Sequence, residues 1–215
     1  MSAFARRTGV MSVPDFFRWE PGDRLRYELV DGEPRAMAPA STVHACLQNE
    51  LGRLIGNHLR ERGTGCDVLA NPGVVPRLLS GHNVRIPDLA VTCTPVTPGE
   101  ATLSDPVSIV EILSPGNQAK AWSNVRAYSS LPSVQEILVL HTGRIAADLL
   151  RRAADATWPE EPVRTESGHL VLAGIGLRVP LAALNARTGL GARTLRPNAA
   201  LPPRSAAAAV RCARP

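Results

Sequence analysis

Residues 86–128 constrain the fold more than any other stretch of the chain. Ile86-Pro-Asp-Leu-Ala-Val91 and Val107-Ser-Ile-Val-Glu-Ile-Leu113 are apolar runs of strand length separated by a loop rich in Thr and Pro, and each carries one acid, Asp88 or Glu111. Side chains alternate along a strand, so Val107, Ile109, Glu111 and Leu113 are expected on one face. Glu111 is the only charge in its run. A buried carboxylate is costly unless a cation or donor meets it, and Asp88, entering the neighbouring run behind Pro87, poses the same demand. Two carboxylates from adjacent strands, joined by a main-chain carbonyl such as that of Ile112, form a hard oxygen set suited to Mg²⁺, with Mn²⁺ as an alternative. Such an ion polarises a phosphoryl oxygen and lowers the pKa of its bound water. Beyond Glu111 lies Lys120, the sole lysine in the sequence, in a polar helix candidate. With Ser114 as its cap and Pro115 at its first position, that helix places Lys120 in its early turns, with Asn124 and Tyr128 at four-residue steps on the same stripe. Two acids and a nearby ammonium suit metal-assisted cleavage of a phosphodiester.

The rest of the chain supplies a frame for that pair. Ser12 caps a short helix through Pro14 and Phe17, and Asp31-Gly32 between Arg26-Tyr-Glu-Leu-Val30 and Pro34-Arg-Ala-Met37 signals a hairpin. Thr42–Arg62 is the clearest helix, with Val43, Cys46, Leu47, Leu51, Leu54, Ile55 and Leu59 near one apolar face and Gly63 at its end. Glu50 falls at the border of that face, open either to an inward role or to solvent. His44 and His58 lack a His or Cys partner at metal spacing and read as surface or core-edge residues. Cys66–Ala70 and Gly73–Leu79 read as strands, the second of them edge or bulged because of Pro76. Val134–Leu140, Arg144–Arg151, His169–Leu172 and Leu177–Val179 are further strands, and Leu181–Leu184 is a short closing helix. A hairpin, a long helix, successive strands, and a helix between the last two central strands predict an α+β restriction-endonuclease-like core, a mixed central sheet flanked by helices. The division is an N-terminal segment over 1–24, a domain over 25–185, and an Arg/Ala/Pro-rich tail over 186–215, expected to be disordered from Pro197 onward.

Several segments, in this order and spacing, resemble the Uma2-type restriction endonuclease family, a branch of the PD-(D/E)xK nuclease superfamily. They are Tyr27-Glu-Leu-Val-Asp-Gly-Glu33, Pro87-Asp-Leu89, Val110-Glu-Ile-Leu-Ser-Pro115, Tyr128 with Leu131-Pro-Ser-Val-Gln-Glu-Ile-Leu-Val139, and Leu177-Arg-Val-Pro-Leu-Ala-Ala-Leu184. The resemblance implies a metal-dependent nuclease acting on DNA, with Asp88 and Glu111 at the acidic motif positions and Glu33 near the site. It allows a homodimer. Many relatives carry a lysine four residues before the helix tyrosine, where this chain has Asn124. Leu113 occupies the strand position two residues after Glu111, and Lys120 lies one helical turn before Asn124.

Composition narrows the partner. The formal net charge of +5 and pI near 9.6 favour an acidic partner such as nucleic acid. Three Phe, two Tyr and three Trp are too few and too scattered to form a stacking platform for single strands. Cys46, Cys66, Cys93 and Cys212 stand apart in sequence, with no zinc-ligand spacing, and read as buried, reduced thiols. The N-terminus shows no apolar signal region and no run is long enough to cross a bilayer, so a cytoplasmic protein without membrane contact is expected. The chain lacks a Gly-x-Ser-x-Gly elbow, a Walker-type phosphate loop and a dinucleotide fingerprint. Two readings remain: a Mg²⁺-dependent endonuclease that uses Asp88, Glu111, Lys120 and Glu33, and a catalytically impaired DNA-binding or interaction protein on the same fold.

Overall fold

The computed structural model describes residues 9–190. All but the first five residues of the 186–215 tail lie outside that range, Cys212 with them. The first helix, α1 (Val13–Arg18), is capped by Ser12, whose Oγ accepts from the Asp15 amide at 3.3 Å. Phe16 and Trp19 from this region pack with Met11, Leu29 and Val84 in a small apolar cluster. The strands β1 (Tyr27–Val30) and β2 (Glu33–Ala36) form the expected hairpin, with Val30 opposite Glu33. Asp31 and Gly32 both adopt positive φ, 51° and 82°. A two-residue turn whose twist matches the strands requires that backbone.

The helix α2 (Thr42–Arg62) follows, ending at Gly63 with φ 59°. Leu47, Leu51, Ile55 and Leu59 are its buried residues, at steps of four along one side. Each such side chain contributes roughly 1.5–3 kcal/mol through burial. Cys46 is exposed, off that face. The central sheet is built from β3 (Asp67–Ala70), β4 (Leu89–Thr92), β5 (Pro106–Leu113), β6 (Glu136–His141), β7 (Ala147–Arg151) and β8 (Val163–Thr165), in that spatial order. Among the described strands only β5 and β6 run parallel. Their connection is α3 (Gln118–Ser129), since a parallel pair needs a crossover rather than a hairpin. A second hairpin, β9 (His169–Leu172) with β10 (Leu177–Pro180), and the short α4 (Leu181–Leu184) close the fold. The helix α2, the second hairpin and α4 cover one face of the sheet, against Val91, Val110, Ile112 and Leu138. The other face packs α3 against Ile109, Leu113, Ile137 and Val139.

Several expectations are corrected. Gly73–Leu79 is not a strand; it keeps one bridge, Val74 with Arg85, because Pro76 and the loop after Asn71 (φ 51°) interrupt pairing. Val107 does not share the face of Ile109, because the β4–β5 register skips it between Ser108 and Pro106, and this bulge turns it towards the α2 side. Ser114 does not cap α3. Gly116, with φ 94°, breaks the chain after Pro115, and the helix begins only behind Asn117. Cys66 and Cys93 are not free thiols but form a disulfide. The antiparallel pair Asp67–Thr92 places them opposite each other one residue further on, a proximity that the 27-residue separation does not reveal.

Candidate active site: an acidic cavity at the end of the central strands

Asp88 and Glu111 meet where β4 begins and β5 ends. Leu89 pairs with Val110, so the same antiparallel register continued by one residue sets Asp88 opposite Glu111. Both side chains line one cavity of ≈ 730 Å³, together with Ile112, His44 and Lys120. Asp88 is held at every polar atom beyond its own amide. Its Oδ2 accepts from the Ile112 amide at 2.6 Å and its Oδ1 contacts His44 Nε2 at 2.8 Å. Its carbonyl accepts from Gln48 Nε2 at 2.8 Å and from the Asn71 amide at 3.0 Å. In an extended strand the N–H and C=O of one residue project towards the same edge, so the Ile112 carbonyl follows its amide towards Asp88.

Glu111 Oε1 accepts from Tyr128 Oη at 2.8 Å and from Asn124 Nδ2 at 3.2 Å. Both donors come from one stripe of α3. No hydrogen bond from the described residues reaches Oε2. Burial pushes the Glu111 carboxyl up to about 8, and the charge of Asp88 pushes the same way. The bonds from Tyr128 and Asn124 oppose the shift, and a further acid, Glu28, adds to it. The Tyr128 phenol is raised well above its ordinary range, chiefly by burial, and stays a donor.

Glu28 is the residue that sequence reasoning missed. It lies on β1 and is fully buried, brought beside the site because Leu29 bridges to Val84 just upstream of Asp88. Lys120 Nζ stands 2.7 Å from its Oε1. This is an ion contact rather than an aligned hydrogen bond, and neither carboxylate oxygen of Glu28 has a hydrogen-bond partner among the described residues. Glu33, expected near the site, is instead an exposed end of the hairpin, 3.5 Å from Arg35, and does not line the cavity. The two acids sit in the same Glu-Leu-Val-Asp-Gly-Glu motif and on one face of the hairpin, since Val30 is opposite Glu33, so alternation cannot separate them; their position does, for Glu33 borders the tight turn whereas Glu28 stands inside a strand. Glu50 takes its solvent-facing option, paired with Arg53 at 2.6 Å, which holds its carboxyl below the usual range. His44, assigned to the surface or core edge, is nearly buried and bonded to Asp88. Its place one turn ahead of Gln48 on α2, which also reaches Asp88, gave the only periodic hint.

Among the described residues no cluster of three or more His, Cys, Asp or Glu side chains forms a ready-made metal cage. The oxygens of Asp88, Glu111 and Ile112 border the same cavity, a set of hard donors beside the further acid Glu28. Such a set fits a hard cation that keeps several waters and does not fit a thiolate- or imidazole-seeking ion. Arg24, Arg26 and Lys120 stand on the cavity wall, where anions would be drawn.

A mixed sheet with two acids in a cavity at the ends of its central strands and a helix crossing between the parallel pair is a restriction-endonuclease-like fold. The Uma2 family, described as a putative restriction endonuclease, matches residues 13–182, and the chain belongs to it. The uncharacterized protein slr1290 of Synechocystis sp. (strain ATCC 27184 / PCC 6803 / Kazusa) is 28% identical over 150 residues, 69% of this chain and 77% of that protein. Among solved structures, a putative nuclease belonging to DUF820 from Anabaena variabilis ATCC 29413 superposes with a TM-score of 0.67 over 83% of this chain and 99% of that one, at 14% identity. That likeness shows the fold. Among the described residues no helix is long and apolar enough to cross a membrane.

Proposed function

We propose that this protein is a metal-dependent DNA endonuclease that hydrolyses phosphodiester bonds in the cavity between β4, β5 and α3. The observation that carries the reading is the placement of Asp88 and Glu111 in one cavity, with the Glu111 carboxyl raised by burial and by Asp88. Crowded acids of this kind are stable as anions only with a cation among them. Asp88, Glu111 and the Ile112 carbonyl would hold Mg²⁺ or Mn²⁺, which when bound supplies Lewis-acid activation of a phosphoryl oxygen and of water.

The chain's own residues do the rest. His44 and the Ile112 amide fix the Asp88 carboxylate, and Tyr128 and Asn124 fix Glu111. Lys120 is 40% exposed in its side chain, within reach of both Glu28 and a phosphate entering the cavity. Its ammonium stabilises charge developing on the transferred phosphoryl group, and Glu28 orients it in the supporting role first given to Glu33. Arg24 and Arg26 meet flanking phosphates, so affinity for DNA falls steeply with salt.

Nicking of supercoiled plasmid in Mg²⁺ or Mn²⁺, run beside Asp88→Ala and Lys120→Ala, tests this. Wild-type nicking that needs the metal and disappears in Asp88→Ala is expected; cleavage that survives Asp88→Ala defeats the mechanism. The neutral Asn124 beside Glu111 favours a second reading, a DNA-binding protein with impaired catalysis, for which salt-sensitive binding without cleavage in any metal would be the sign.

A further inference from the structure

Arg85 lies just upstream of the Pro87-Asp88 step, its main chain bridged to Val74 by hydrogen bonds of 2.8 Å in both directions. Its side chain is 4% exposed. A guanidinium taken out of water calls for strong partners, yet this one finds few. Nη2 stands 3.8 Å from Asp31 Oδ1, too far for a hydrogen bond, and Nε is buried without a partner among the described residues. The single good bond runs from Nη1 to Asn124 Oδ1, at 3.0 Å.

That bond has a directional consequence. Arginine has donors only, so it can meet an amide only at its oxygen, and the other end of Asn124 must then be the donor towards Glu111. Nδ2 does reach Glu111 Oε1, alongside Tyr128 Oη. Oε1 is thereby saturated and Oε2 is left for the cavity. Resting on the nuclease reading above, we propose that Arg85 is a positioning residue for the active site: through Asn124 it holds Glu111 with Oε1 occupied and Oε2 presented to the cavity. A positive charge thus stands one amide away from Glu111 without itself entering the cavity. A lysine at position 124 would bring an ammonium to the same carboxylate directly, so Asn124→Lys should make Arg85 dispensable.

The test combines a readout of position with one of activity. In ¹⁵N-labelled full-length protein, the Asn124 side-chain amide should exchange slowly with water, and in Arg85→Met its exchange should rise about tenfold or more while the rest of the spectrum stays folded. Nicking in Mn²⁺ should fall by about ten- to a hundredfold in Arg85→Met, the range of outer partners of a metal site. It should return to within about threefold of wild type in Arg85→Met/Asn124→Lys, on the same range of effects. Should Arg85→Met not fold, Arg85→Lys, which keeps the charge but loses the planar fork, is read in the same way. An Asn124 amide equally protected in the variant overturns the proposal, as does variant nicking about equal to wild type. Wild-type protein that cuts no DNA but loses Asn124 protection on Arg85 substitution would instead defeat the nuclease reading and leave the positioning role standing.

Discussion

Glu111 and Asp148 are both buried carboxylates in one cross-strand row of the sheet, for Glu111 pairs with Val139 and Val139 with Asp148. Their surroundings are opposite. Asp148 receives Arg164 Nε and Nη2 at 2.6 and 2.9 Å and His141 Nε2 at 2.8 Å. Burial alone would raise its carboxyl, but the bonds and charges of Arg164 and His141 outweigh that and hold it below the ordinary carboxylate range. Burial also raises the Glu111 carboxyl, and there the charges of Asp88 and Glu28 add to the shift while the two neutral donors, Tyr128 and Asn124, do not offset it. The first arrangement is complete and stabilises the sheet; the second leaves one carboxylate oxygen without a hydrogen bond among the described residues, and that oxygen is the one the proposed function gives to a cation.

The contrast breaks most easily by mutation. Glu111→Gln should lower metal-dependent nicking by about a hundredfold or more while leaving thermal stability at neutral pH no lower than wild type, because a neutral side chain relieves the crowding. Asp148→Ala should do the reverse: about 2–3 kcal/mol of stability lost, since Arg164 and His141 lose their shared partner, with nicking per folded molecule unchanged. Chemical denaturation and plasmid nicking on the same preparations distinguish the two. Loss of activity in Asp148→Ala with stability intact would erase the distinction.

Titration sharpens it. The Glu111 carboxyl is raised in the folded protein, so its stabilising contribution is complete below the unfolded value near 4.5 and is lost as pH rises towards about 8. Metal-free protein should therefore lose stability across that window, by at most roughly 1.4 kcal/mol per pH unit for this one group, and Glu111→Gln should flatten the curve. Asp148 is lowered, so its contribution is present above 3.8 and lost as pH falls below it. An acid-side loss that Asp148→Asn removes is the matching signature. The smallest effect belongs to Glu33→Gln: an exposed acid in a surface pair with Arg35 contributes about 0–1 kcal/mol, and nicking should stay within about twofold of wild type.

Much of this was legible in the sequence because local rules and burial agreed. The Asp31-Gly32 turn and the α2 stripe follow from spacing alone, and the pairing of Asp88 with Glu111 from one acid in each of two successive apolar runs together with the family resemblance. What was hidden depended on contacts distant in sequence. Asn83 Oδ1 accepts from the Asp31 amide across 52 residues and, with the Leu29–Val84 bridge, binds the first hairpin to the approach to Asp88, which is how Glu28 rather than Glu33 enters the site. The Cys66–Cys93 bond follows from the β3–β4 register, and the displacement of Val107 from a bulge, neither of which alternation can report. Asn124 reads as a missing lysine along the helix, and only the fold sets Arg85 behind it.

The central claim, that Asp88 and Glu111 share one divalent cation, is tested most directly by calorimetric titration of Mn²⁺ into metal-free protein, wild type beside Asp88→Ala and Glu111→Gln. One ion bound per chain in the wild type, with affinity reduced about tenfold or more in each variant, is the result this account predicts. Binding of unchanged affinity in both variants, or none in the wild type, would contradict it.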